Sequence, residues 1–188
     1  VTRTGSLRWV VDPIDGTSNY ARGRSRWCVS LGLLEGDEPM AGVIEAPALQ
    51  EVYTSLRGYG AFLNGKPIQA SRVAESSRAM IEMGWSGRVP KPVFMEKIDA
   101  IMELGAMPRS GGCGALALAD VASGRLDGYI EIVINLWDVA GALPLLAEAG
   151  ARVSPFLRDG GLTGGAVIMA ANPHIAQTLS DAVRIPLE

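Results

Sequence analysis

From Leu7 to Ile68 the apolar residues fall in short β-rich runs: Leu7–Val11, Trp27–Leu34, Ala41–Ala46, Glu51–Ser55 and Ala61–Phe62. Turn residues stand between or after them at Gly36-Asp37, Pro47 and Asn64-Gly65, a spacing that predicts an antiparallel meander. After about residue 75 the rhythm changes. Val93, Phe94, Ile98, Ile101, Met102 and Leu104 recur at helical spacing and the run closes at Gly105. Cys113–Ala122 reads as a helix ended by Gly124, Leu126–Ile134 as a strand, and Asp138–Ala149 as a helix ended by Gly150. A short extended run at Arg152–Ser154, a glycine-rich loop over Asp159–Gly165 and an apolar strand at Ala166–Ala171 follow. Asn172-Pro173 then opens a last helix as cap and first turn. An antiparallel layer followed by an α/β layer is therefore expected. The turn-rich stretch Ser71–Ser77 divides them into subdomains of residues 1–73 and 74–188.

With 188 residues, 48% of them hydrophobic, the chain has enough apolar mass for one sizeable core or two layers sharing one. The charge adds an exclusion. A net charge of −3, from 17 basic and 20 acidic residues without a long single-sign run, speaks against a nucleic-acid footprint and leaves small molecules or other protein chains as partners. Cys28 and Cys113 lie far apart without CxxC or Cys/His spacing, so the sequence indicates neither a zinc site nor a disulfide framework, and a reducing cytoplasm is the expected compartment. No apolar run reaches the roughly 18 residues that span a bilayer, and no signal-peptide pattern opens the chain.

Chemistry concentrates at Asp12-Pro13-Ile14-Asp15-Gly16-Thr17, where an apolar strand ends. Pro13 fixes its own φ and biases Asp12 toward an extended conformation, holding both carboxylates at the strand's C-terminal edge. Gly16 permits a tight turn, after which the backbone N–H groups of Gly16 and Thr17 can point at an anion. Far downstream, Trp137-Asp138 stands where Asn135 ends a strand and a helix begins, so exposed amides and the helix dipole keep Asp138 ionised. Each acid taken alone reads as a cap or a turn. Together, three carboxylates each following an apolar strand form a candidate hard-cation site, and oxygen ligands without His or Cys favour Mg²⁺, with Mn²⁺ second. The sole histidine, His174, follows Pro173 and reads as a surface residue.

On these residues the chain resembles the inositol monophosphatase superfamily, the Mg²⁺-dependent, lithium-sensitive phosphatases. Asp12-Pro-Ile-Asp15-Gly16-Thr17 is similar to its first metal motif, Trp137-Asp138-Val139-Ala140-Gly141-Ala142 to its second, and Glu148-Ala149-Gly150 also fits. The resemblance implies a layered α-β-α-β-α sandwich of the inositol monophosphatase and fructose-1,6-bisphosphatase type, with an incomplete N-terminal layer. It implies that Asp12, Asp15, the Ile14 carbonyl and Asp138 ligate the metals. Gly16 and Thr17 would bind the substrate phosphate, with Thr17 also orienting the attacking water. Glu131 would hold a substrate hydroxyl, and Gly112, Cys113 and Gly114 would line the pocket. The implied activity is hydrolysis of a small polyol or sugar phosphate by metal-activated water without a covalent phosphoenzyme, in a cytoplasmic homodimer. Histidinol phosphate, fructose bisphosphate and adenosine 3′,5′-bisphosphate are the alternative substrates on the same motifs.

One departure matters. Members of the superfamily carry a Gly-Glu-Glu segment upstream of the first motif, whereas here the sequence starts at Val1-Thr2-Arg3-Thr4, so the natural protein is expected to begin upstream. The competing expectation, from a different class, is a non-catalytic regulatory homologue that lacks this glutamate. Among the remaining conspicuous residues, Trp9 and Trp27 read as core, with Trp27 also able to brace the metal loop. Trp85 reads as an interface or pocket-rim residue. Arg22, Arg24 and Arg26 read as a solvated rim, with a phosphate-attracting collar as the alternative. Arg109 is placed to reach a substrate or a carboxylate.

Overall fold

A computed structural model describes residues 6–188. The expectation about residues upstream of Val1 lies outside that range. The meander forms as β1 (Leu7–Asp15), β2 (Cys28–Glu35), β3 (Glu38–Ala46), β4 (Glu51–Leu56), β5 (Gly60–Leu63) and β6 (Lys66–Pro67), an antiparallel sheet in chain order. A second sheet is built from β7 (Met80–Met83), β8 (Met107–Arg109), β9 (Gly128–Ile134), β10 (Arg152–Val153) and β11 (Ala166–Ala171), ordered β10-β11-β9-β7-β8. Here β7 runs parallel to β8 and β9, while β11 is antiparallel to β9.

The helices are α1 (Thr17–Tyr20), α2 (Lys91–Glu103), α3 (Gly114–Ala122), α4 (Leu136–Val139), α5 (Ala142–Glu148) and α6 (Ala176–Val183). α3 is apolar on nearly every face and, with α5, fills the space between the sheets, packing Leu116, Leu118 and Leu145 against Ile44 and Tyr53 on one side and Ile168 on the other. A second core joins the far face of the β7–β9–β11 sheet, through Ile81, Ile130 and Met169, to Ile101 of α2 and Leu179 and Val183 of α6. The order sheet, helix, sheet, helix is the layered α/β sandwich that the sequence implied.

Two differences have simple causes. The helix expected over Asp138–Ala149 is interrupted between α4 and α5, because Pro144 has no N–H to return to the Ala140 carbonyl. Trp9, expected in the core, is 61% exposed, and Leu7 and Val11 share its side of β1. Register places Trp9 and Val11 beside Leu33 and Leu31 of β2, and Leu7 beside Glu35, on the sheet face opposite the helices. Trp27 does turn inward partway, edge-on to Tyr20 of α1 at 4.8 Å, where it braces the turn that follows the first acidic motif.

Candidate active site

Residues three apart on a regular strand point to opposite faces. Asp12 and Asp15 escape that rule because β1 carries a one-residue bulge: Asp12 pairs with Ser30 but Asp15 pairs with Cys28, so three steps along β1 oppose two along β2. Both carboxyl groups consequently turn to the helix-facing side and are buried. The turn is fixed locally by the Ile14 N–H, which donates to Asp12 Oδ1 at 3.0 Å, and by the Thr17 hydroxyl, which donates to the Ile14 carbonyl at 3.2 Å. Gly16 has φ of 82°, a left-handed conformation that a side chain would strain, and it caps α1. Thr17 and Ser18, as first-turn residues, have no intrahelical acceptor for their N–H groups.

Asp138 reaches the same place from the other sheet. The Asn135 backbone N–H and side-chain amide donate to its Oδ2 at 3.0 and 3.2 Å, a capping box that orients the carboxylate at the start of α4. The Ala140-Gly141 junction between α4 and α5 in turn lies close on β2 and β3 because the facing positions are glycines. A Cβ on Gly32 would meet the Ala140 carbonyl carbon at 2.5 Å, and one on Gly42 would overlap the Gly141 carbonyl oxygen. The outcome is that Asp12, Asp15 and Asp138 each bring a carboxylate oxygen within 4.8 Å of the others.

Electrostatics follow from that crowding. Against the expectation that helix-start amides keep Asp138 ionised, burial, and then the neighbouring Asp15 charge, push it up to about 7 despite the Asn135 hydrogen bonds. Asp15 is also raised, by burial first and by Asp12, although Ala115 N–H at 2.6 Å and Cys113 Sγ at 3.2 Å donate to its Oδ2. A cluster that resists holding its negative charges unaided is suited to a divalent cation, and its donors are all oxygen.

Beside the cluster lies a cavity of about 220 Å³ whose wall includes Asp15, Asp138, Glu131, Gly112, Cys113 and Gly114. Asp12, Ile14, Gly16 and Thr17 are not in that wall but adjoin it, since a Cβ on Gly16 would stand 3.1 Å from Cys113 Cβ. Glu131 accepts the Tyr129 hydroxyl and is raised by burial first and then by Asp15. Asn19 ties the two sides of the site together, its amide donating to the carbonyls of Arg26, Gly111 and Gly112.

Other wall residues carried no assignment from sequence: Glu82, Tyr129 and Arg88. Arg88 spans Ser86 Oγ, Asn135 Oδ1 and the Val133 carbonyl, so it steadies the residue that orients Asp138. The signal that could have found it is a basic residue just after the Gly84-Trp85-Ser86 loop. Trp85 does line the rim, as expected. Arg26 is neither rim nor collar: its guanidinium is bonded to Glu82 at 3.0 Å and Asp120 at 2.8 Å, joining the segment that leads into β2 to β7 and α3. Arg109 lines a separate groove with Phe94 and Ile98. Glu148 has a fold role, accepting the N–H groups of Gly58 and Gly60 and so pinning α5 to the β4–β5 turn. His174 is exposed.

A sequence profile described as the "Inositol monophosphatase family" matches residues 1–185. An "Inositol-1-monophosphatase" of Mesorhizobium japonicum is 38% identical over 185 residues, covering 96% of this chain and 68% of the relative. A "Nus factor SuhB" of Xylella fastidiosa is 40% identical over 152 residues, covering 80% of this chain and 55% of the relative. Among solved structures, an inositol monophosphatase from Anabaena superposes with a TM-score of 0.86 at 35% identity over 99% of this chain and 75% of that one. Against the two curated relatives, the aligned region thus spans only about half to two thirds of their length. Fold, matched profile and relatives agree that the chain belongs to the inositol monophosphatase family.

Proposed function

We infer that this protein hydrolyses a small phosphate monoester, inositol monophosphatase-like, with Mg²⁺ and without a covalent phosphoenzyme. The observation that carries the reading is the meeting of Asp12, Asp15 and Asp138 within 4.8 Å, beside a cavity with Glu131 in its wall. Those three side chains and the Ile14 carbonyl would hold Mg²⁺, or Mn²⁺ in its place. When bound, the metal supplies a water of lowered pKa, polarises the phosphoryl group and neutralises the leaving alkoxide. The protein's own groups do the rest. Amides of Gly16 and Thr17 face phosphate oxygens, and the Thr17 hydroxyl, anchored on Ile14, orients the attacking water. Glu131, fixed by Tyr129, accepts a hydroxyl of the alcohol portion while Gly112, Cys113 and Gly114 shape the wall around it. Inhibition by Li⁺, a cytoplasmic location and a homodimer belong to the same reading.

Phosphate release from inositol 1-phosphate, fructose 1,6-bisphosphate, histidinol phosphate and adenosine 3′,5′-bisphosphate at fixed Mg²⁺ tests it. The polyol phosphate is expected to lead. A preference of about a hundredfold, about 2.7 kcal/mol in kcat/KM, for histidinol phosphate or the nucleotide would overturn the substrate class.

A regulatory role is the second reading, favoured by the "Nus factor SuhB" name of a relative at 40% identity. The variant Asp15→Asn separates the two in a deletion strain: restoration of growth by a variant without turnover supports regulation, and failure to restore supports catalysis.

A further inference from the structure

The geometry points to a second, thiophilic metal site behind the acidic cluster, formed by Cys28, Cys113 and Asp15, that takes Zn²⁺ or Cd²⁺. Widely separated in sequence, the two sulfurs stand 3.7 Å apart because Cys28 opposes Asp15 across the β1 bulge while Cys113 caps α3 on the facing layer. Two thiolates bound tetrahedrally at about 2.3 Å from one zinc ion lie about 3.8 Å apart, so this pair already has the spacing of one edge of such a site. Asp15 Oδ2 provides the next corner, 3.2 Å from Cys113 Sγ, and all three donor atoms lie within 4.8 Å of one another. The Asp15 carbonyl, 3.6 Å from Cys113 Sγ, or a water can complete the set. Access is through the cavity, whose wall includes both Asp15 and Cys113.

Two sulfurs and one oxygen select a soft or borderline cation, whereas the three carboxylates on the other side of Asp15 select a hard one. Entry of the divalent ion displaces two thiol protons to solvent and leaves neither sulfur oxidised. Asp15 belongs to both donor sets, so a thiophilic ion draws it away from Asp12 and Asp138 and acts as an antagonist of Mg²⁺. This inhibitory half rests on the function proposed above; the binding half does not.

Cadmium added to the reduced, Mg²⁺-free protein is expected to give thiolate-to-cadmium charge-transfer absorption that saturates at one ion per chain. Cys28→Ala is expected to lose that absorption while keeping its Mg²⁺-dependent turnover, and to need at least about tenfold more Cd²⁺ for half inhibition, one factor of ten in affinity. If Cys28→Ala fails to fold, Cys28→Ser and Cys113→Ser serve for the absorption measurement. No charge-transfer band with excess Cd²⁺, or a band undiminished in the Cys28 variants, overturns the site. A band that depends on both cysteines in a protein without phosphatase activity upholds the site and refutes the function proposed above.

Discussion

Without divalent cations, the stability of this protein should fall as pH rises from about 4 to about 7, the reverse of the usual carboxylate contribution. Asp138 has a pKa of 3.8 in an unexposed-to-neighbours reference chain and about 7 in the fold, raised by burial and then by Asp15. In that window the folded state binds more protons than the unfolded state, so unfolding free energy declines with increasing pH. The contribution is fully present below 3.8 and gone above about 7. Each pH unit is worth up to about 1.4 kcal/mol, giving at most about 4 kcal/mol across the window, shared with Asp15 because interacting carboxyls titrate together. Asp15 and Glu131, both raised, act in the same direction. A bound divalent cation stabilises the ionised cluster, so saturating Mg²⁺ should flatten or invert the slope. Urea unfolding at a series of pH values, with chelator and with Mg²⁺, measures it. Asp138→Asn should lose much of the slope in chelator. An unchanged slope in Asp138→Asn, or one indifferent to Mg²⁺, would refute the cluster as a cation site held under repulsion.

Asp15→Asn should abolish Mg²⁺-dependent turnover while leaving the chelator-treated melting temperature equal or higher, since it removes a charge rather than packing; near-normal turnover would exclude Asp15 from the chemistry. Gly42→Ala should cost about 1–3 kcal/mol and reduce turnover as well, because the new Cβ pushes Gly141, and with it the α4 segment carrying Asp138, away from the sheet; denaturant midpoints and phosphate release report the two effects separately. Arg26→Met leaves buried Glu82 without its cation and buried Asp120 with only the longer Arg125 contact at 3.8 Å, and should cost about 3–5 kcal/mol, with part recovered when Glu82→Gln is added. Additive losses in that double-mutant cycle would contradict the pairing.

Five of the meander's six strands were legible because turn residues punctuate them at close intervals, the two-residue β6 excepted, and the acidic motifs because each follows an apolar run. β7 and β8 were not, since Met80–Met83 and Met107–Arg109 are too short for alternation to register and exist by parallel pairing with distant partners. The cavity wall supplied by that pairing, Glu82 and the loop carrying Arg88, was hidden with them. Trp9 was misplaced for another reason: alternation says which residues share a face of a strand but not which face another layer covers. The cysteine pair escaped for a third. Metal-site spacing rules look for ligands close in sequence, and Cys28 and Cys113 become neighbours only once two layers have packed.

The convergence of the two acidic motifs is itself a consequence of residues with no side chains. Asp12-Pro13-Ile14-Asp15 and Trp137-Asp138 are each compatible with an ordinary turn or cap, and nothing in either demands the other. What brings them together is backbone against backbone: Gly32 and Gly42 on neighbouring strands admit Ala140 and Gly141, while Gly141 faces Ser30 Oγ at 2.7 Å from where its own Cβ would be. Contact at that range sets the height of α4 over the sheet more tightly than interlocking of flexible side chains would, because backbone has no rotamers with which to yield. The bulge in β1 then turns Asp12 and Asp15 up to meet Asp138. Acids supply the charge, but the glycines and the bulge make those charges a single site.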